Sequence, residues 1–298
     1  MYGLVIATRP SRASLNESVA KAVLLSACIV VVAAMGALLF YLAIEGTRLI
    51  FADHINPFVF LFHTTFDPDS REPGAFVFIA GSIFVTLFAI CVGGPFGVAV
   101  GIFFSELAPP RVSALIKPAI EVLVGIPSVV YGWLGLTLLA PLVRTYLGSQ
   151  TGFGLLTAGV VLSVMILPTV ISLSEDALAA VQTPLKEGSM ALGATRWQTI
   201  YRVILPAARS GLTVAVILGI ARAIGEALAV QMVIGNSAVL PRGLLNPTAT
   251  LTTEIVTDMG SAQPGTILQH ALFSMAFLLL LIAMALIVFV RVALRRQV

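Results

Sequence analysis

The segment LGIARAIGEALAV, residues 218–230, sets an arginine and a glutamate inside a run that is otherwise apolar. Arg222 and Glu226 are four residues apart, so on a helix they share one face, one turn apart. An ionisable group at the centre of a bilayer costs about 2.5–3.5 kcal/mol on insertion scales, so both residues need a purpose. One purpose is anion handling. Arginine stays protonated and offers a planar fork matched to the oxygens of a tetrahedral anion. Glu226 would pair with it at rest and release it when the anion arrives. The other purpose is structural, an ion bridge locking one helix to its neighbour. The residue types fit both. Hydroxyl companions for an anion are Ser82, Thr86, Ser128, and Thr169 or Ser172, each of which also serves as ordinary helix glue.

The elements that position these residues must be membrane helices. Hydrophobic residues make up 58% of the 298 and charged residues 10%, whereas a soluble domain carries roughly a quarter charged residues. Six apolar spans, approximately 20–44, 76–104, 119–143, 154–174, 211–235 and 267–290, are long enough to cross the hydrocarbon layer as helices and too long for barrel strands. An all-α integral membrane protein of six transmembrane helices is expected. The first span follows a long charged stretch and precedes no A-x-A-like cleavage site, so it reads as a retained helix. With the N-terminus cytoplasmic, twelve Lys and Arg fall on that side, Arg9 and Arg296 among them. Four fall on the other side, and Arg222 remains in the membrane. That imbalance places both termini in the cytoplasm.

Several spans are more than anchors. The second carries CVGGPFGVAVG, the third GIPSVVYG and the fourth MILPTV, and such backbone is tolerated in a membrane only against protein or a wet cavity. Gly93, Gly94 and Gly97 read as close helix packing. A break at Gly125-Ile126-Pro127-Ser128 would expose N–H groups and the Ser128 hydroxyl to an anion, and packing is an equal alternative. Glu121 reads as interfacial, with a gate role open, and Tyr131 and Trp133 as packing or belt aromatics. Cys28 and Cys91 read as small buried hydrophobes, and His54 and His63 as ordinary loop histidines. Two long outer segments, 45–75 and 236–266, suit a binding or gating role. The second contains TLTTEIVTDMG, which suits a short helix.

The longest inner connection reads as two short helices joined at a glycine. Pro184 suits the start of the first helix and Gly193 its end, and Thr195 can cap TRWQTIYRVI, which is expected to stop before Pro206. Arg196, Trp197, Tyr201 and Arg202 make the second helix amphipathic. Docking to a partner protein and lying on lipid headgroups are physically equivalent readings.

Here the sequence resembles the permease subunits of bacterial ABC importers, whose loop has the pattern E-A-A, three residues, G, nine residues, I-x-L-P. Glu187, Gly193, Leu205 and Pro206 keep the spacing, with Gly188-Ser189 in place of the two alanines and Val203 in place of isoleucine. The resemblance implies that Glu187, Gly188, Ser189, Ala191, Gly193, Ala194, Leu205 and Pro206 form the element that couples to an ATPase, which tips the loop towards docking. The strings IEVLVGIPSVVYGWLGL, VLSVMILPTVISLSEDAL, ALGATRWQTIYRVILPAARSG and RAIGEALAV narrow it to the C-type permease of phosphate-specific importers. Where that group commonly has G-E-T-M-A, this chain has Gly225-Glu226-Ala227-Leu228-Ala229, one hydroxyl fewer near Glu226. Little of the first 75 residues aligns.

The resemblance implies a division into an N-terminal tail (1–19), a first helix and outer loop (20–75), an importer core (76–290) and a C-terminal tail (291–298). It implies alternating access. It also implies two copies of a cytoplasmic ATPase that uses ATP and Mg, a second phosphate permease, and an extracytoplasmic binding protein that delivers phosphate. No cofactor, metal or nucleic acid is expected on this chain, and no Walker A pattern occurs in it. A permease for sulfate or molybdate is the nearest alternative. A self-contained channel or secondary transporter is the next, against which no internal repeat is visible. An intramembrane enzyme is disfavoured, because the core spans hold no lysine or aspartate.

Overall fold

The computed structural model describes residues 12–69 and 71–295, so Arg9, Arg296 and residues 1–11 of the tail lie outside the described residues. Within a bilayer the backbone must satisfy its own hydrogen bonds, and the apolar runs accordingly form helices. The first is α1 (Arg12–Phe51), so residues 12–19 belong to it. A loop then holds α2 (Pro57–Phe62) and a two-residue antiparallel pair, β1 (Phe66–Asp67) with β2 (Glu72–Pro73), a small departure from the all-α expectation. After α3 (Phe76–Ile102) and a π turn at Phe103–Leu107 come α4 (Pro110–Gly125) and α5 (Ser128–Leu134). A second π turn at Gly135–Leu139 leads to α6 (Ala140–Leu147), and α7 (Leu155–Ala179) returns. An elbow of α8 (Thr183–Ala191) and α9 (Arg196–Thr199) leads through a third π turn at Ile200–Ile204 into α10 (Leu205–Ile224). Short helices α11 (Leu228–Gln231) and α12 (Leu251–Asp258) precede α13 (Ile267–Arg295). Among the described residues, six helical stretches are long and apolar enough to cross a membrane.

The core is α3 against α7, with α10 alongside. Gly93, Gly97 and Gly101 recur every four residues on one face of α3. A Cβ at Gly97 would sit 2.7 Å from Cβ of Val170, and one at Gly101 would sit 2.8 Å from Cβ of Ser174. Small residues let two helices approach until their backbones nearly touch, which is how helices associate in lipid. Gly94 meets nothing beyond Ile90 of its own helix, so the packing role belongs to Gly93 and Gly97 and not to Gly94. Helix α1 lies outside this core and packs on α13 near one end, where Ser274 Oγ donates to the Gly46 carbonyl at 2.7 Å. There, too, His270 Nδ1 lies 2.6 Å from Asp53 Oδ2. Along most of its apolar length α1 is exposed, as a lipid-facing helix must be. Cys28 and Cys91 are exposed as well, not buried as expected; a thiol is apolar enough to face lipid.

Two spans differ from the expected boundaries. The third does not run from 119 to 143, because Ile126 precedes a proline and is driven into an extended conformation (φ −69°, ψ 128°). The crossing helix therefore starts at Ser128, and α4 is a separate amphipathic piece with no buried residue. The fifth does not run from 211 to 235. It starts at the elbow and runs from Arg196 to Ile224 without interruption. Pro206 does not stop it. The wide turn at Ile200–Ile204 absorbs the missing N–H, and Pro206 takes up a place in the first turn of α10.

If close glycine packing holds the core, Gly97→Ala will lower thermal stability in detergent by about 1–3 kcal/mol, the usual cost of overpacking. Gly94→Ala will leave the melting midpoint unchanged or raise it, since alanine favours the helix and meets no other element.

Candidate functional site

The fifth crossing helix ends where its charges lie. After Ile224 the chain leaves helical geometry at residues 225–227, and α11 begins at Leu228. Arg222 occupies the last turn of α10, where the carbonyl end of the helix dipole favours a cation. Glu226 lies within the break, and its Oε1 accepts from the Ala229 N–H at 3.2 Å, capping α11. The expected one-turn pairing therefore does not form. Among the described residues no ion pair joins Arg222 to Glu226. Instead Arg222 Nη1 donates to Thr169 Oγ1 of α7 at 2.8 Å. Thr169 follows Pro168, inside the helix that packs on α10.

Beyond the break the outer segment 236–266 folds back against α3. A Cβ at Gly81 would collide with the Ala249 carbonyl, so only glycine admits the chain there. The Leu251 N–H then donates to Ser82 Oγ at 3.0 Å. Thr250 caps α12, with Thr253 completing a capping box. The Thr252 hydroxyl donates to the Glu226 carbonyl oxygen at 2.8 Å, tying the returning loop to the helix break. Ser82, Thr86, Thr250, Thr252 and Glu226 thereby surround a cavity of about 10 Å³, the space of a single water.

The sequence-derived candidates thus divide. Ser82, Thr86 and Glu226 come together, Arg222 and Thr169 form a bonded pair, and Ser128 stands apart, half-buried at the start of α5. Tyr131 bridges the break before Ser128 by donating to the Leu123 carbonyl at 2.8 Å, and Trp133 is exposed. Glu121 lines a cavity of about 250 Å³ at the elbow end, beside Ser172 and a Lys117–Glu175 ion pair. Thr250 and Thr252 were missed. Their signal was the T-x-x-T spacing that starts the short helix, which locates a cap but says nothing of its neighbours.

The elbow matches its local signals. Pro184 falls in the first turn of α8, Gly193 has φ +85°, and Thr195 forms a capping box with Gln198. No residue of α8 is buried; Leu192, Trp197 and Tyr201 stand out from the surface, Leu192 at 91% exposure. Ser189 Oγ and Thr199 Oγ1 lie 3.1 Å apart across the elbow. Lys186 Nζ donates to Glu106 Oε1 at 2.6 Å, which fastens α8 to the π turn at the end of α3. Glu106 and Lys186 are 80 residues apart, and no local pattern links them.

Among the described residues, Glu254 is a titratable group outside the crossing helices that is displaced. Glu254 of α12 is buried, and burial, followed by the neighbouring Asp258 carboxylate, raises its pKa to about 7. A raised carboxyl pKa means the folded state holds its proton more tightly than the unfolded chain. The stabilisation is therefore complete at low pH and is lost as pH rises towards and past 7. Glu254→Gln, which cannot ionise, will match the parent's melting temperature near pH 5 and exceed it increasingly up to pH 8.

Residues 93–298 match the family described as binding-protein-dependent transport system inner membrane component. A probable ABC transporter permease, YqgH of Bacillus subtilis, is 43% identical over 96% of this chain and 93% of its own length. Phosphate transport system permease proteins PstC of Xylella fastidiosa and Haemophilus influenzae are each 34% identical over 80% of this chain, covering 78% and 81% of theirs. In fold the chain is similar to a bacterial ABC importer of alginate, with a TM-score of 0.59 and 15% identity, covering 95% of this chain and 98% of that one. The inward-facing methionine transporter MetNI gives 0.57 and 21%, covering 73% and 93%. This chain belongs to the family of binding-protein-dependent transport system inner membrane components.

Proposed function

We propose that this chain is the membrane-spanning permease subunit of an ATP-driven phosphate importer, with its core at residues 76–290. The observation that carries this reading is the likeness, over four-fifths of the chain, to permeases named for phosphate transport. The chemistry at Arg222 agrees with it. A guanidinium that rests on a hydroxyl keeps its charge available, because an arriving oxyanion displaces a neutral partner rather than a carboxylate. Thr169 then offers its hydroxyl to the same anion. Glu226, committed to capping α11, shapes the break that leaves Arg222 at a helix end. Ser82, Thr86 and Ser128 are further pathway hydroxyls in this reading.

The excess of basic residues at the elbow end supports a cytoplasmic position for it and for both termini, in a bacterial inner membrane. There Glu187, Gly188, Ser189, Ala191, Gly193, Ala194, Leu205 and Pro206 form the element received by two ATPase subunits, which consume ATP and Mg. The exposed Leu192, Trp197 and Tyr201 suit a cleft better than water. A second permease completes the pathway. A binding protein delivers phosphate to the loops at 45–75 and 236–266, and closure of the ATPase pair switches the core between inward and outward access.

In vesicles holding the whole transporter, uptake of labelled phosphate will require ATP and resist excess sulfate and molybdate. Arg222→Ala will abolish it at normal protein levels. Arg222→Lys, which keeps the charge without the planar fork, will retain a minor fraction. Uptake that follows sulfate or molybdate instead would reassign the substrate, and normal uptake by Arg222→Ala would remove the arginine from the pathway.

A further inference from the structure

Four buried hydroxyls converge from two remote stretches. Ser82 and Thr86 lie one turn apart on α3, and Thr250 and Thr252 open α12, with each residue less than a tenth exposed. Three of the four are engaged. Ser82 accepts from the Leu251 N–H, Thr250 caps its helix, and Thr252 donates to the Glu226 carbonyl. The Thr86 hydroxyl makes no hydrogen bond among the described residues, yet it lines the cavity that the others surround. Ser174 Oγ is the fully buried side-chain polar atom without a partner among the described residues, whereas the Thr86 hydroxyl opens onto this cavity. A hydroxyl that faces a cavity with no protein partner can both donate to and accept from a ligand there. What the ligand meets there is a set of neutral donors, the first turn of α12 and one carboxylate, Glu226. Hydroxyls and helix N-termini favour an oxyanion. The carboxylate needs a proton from whatever approaches it, and phosphate and arsenate keep a proton near neutral pH whereas sulfate does not.

We infer that Ser82, Thr86, Thr250 and Thr252, with Glu226 beside them, form a substrate subsite on the loop side of Arg222 for a tetrahedral oxyanion that still carries a proton. The inference rests on the importer reading above and deepens it. The cavity of about 10 Å³ cannot hold such an anion, so the subsite fills only when the 236–266 segment draws away from α3. The bonds from Leu251 to Ser82, from Thr252 to Glu226 and from Gln231 to Thr257 are among those that must open. The returning loop thus serves as both a lid and part of the site it covers.

The test uses the whole transporter in vesicles, with labelled phosphate delivered by saturating binding protein. Thr86→Val replaces the idle hydroxyl with a methyl of the same shape. It is expected to fold with an unchanged or higher melting temperature and to cut the maximal uptake rate at least tenfold. The concentration of loaded binding protein giving half-maximal rate stays the same. Thr86→Ser restores the hydroxyl and most of the rate. Arsenate competes for uptake in the parent and sulfate does not. A Thr86→Val transporter that matches the parent overturns the subsite while leaving the phosphate importer intact. A parent that carries no phosphate overturns the importer reading and the subsite with it.

Discussion

A backbone N–H or carbonyl within a bilayer has no water to fall back on, and every irregular stretch of this chain answers to that constraint. Where α4 stops short of Pro127, Tyr131 reaches back to the Leu123 carbonyl. Where α10 stops at Ile224, the Glu226 side chain takes the Ala229 N–H and Thr252 supplies the Glu226 carbonyl. Where the outer segment starts α12, Ser82 receives the Leu251 N–H. In each case a polar side chain stands in for the missing turn of helix. The polar residues that look costly in the sequence are thus largely those that make the breaks possible. The breaks in turn bring unlike groups close together in the core, which an unbroken bundle could not do.

Much of this was legible because it is local. Hydropathy located six crossing helices, and Pro184, Gly193 and Thr195 located the elbow, since starts, turns and caps depend on a few consecutive residues. The helix boundaries at 128 and 224 were less accessible. Gly225 within an apolar run looks like a tolerated glycine, and only the surrounding helices make a stop there worthwhile. Arg222 stood out through its charge and Thr169 as one candidate hydroxyl among several, but the bond between them did not. The four-residue spacing to Glu226 assumes an unbroken helix, and the break sends the arginine to Thr169 on another helix.

The remaining features are long-range and leave no local trace. The Lys186–Glu106 bond joins residues 80 apart, and Gly81 is small because residue 249 passes over it. Even Pro206, a reliable stop in isolation, was overruled by a π turn laid down just before it. Such features arise from what the fold places nearby, and a single chain read in order does not contain that proximity.

The unbroken course from Arg196 to Ile224 has a mechanical consequence. At 1.5 Å per residue, Arg196 and Arg222 are about 40 Å apart along the axis, so tilting the rod by about 5° about one end swings the other through about 3 Å. That travel is comparable to the 2.8 Å between Arg222 and Thr169. A tilt of a few degrees imposed at the elbow is therefore enough to part the arginine from its hydroxyl. The helix thus has the proportions of a lever whose stroke matches the length of a single hydrogen bond.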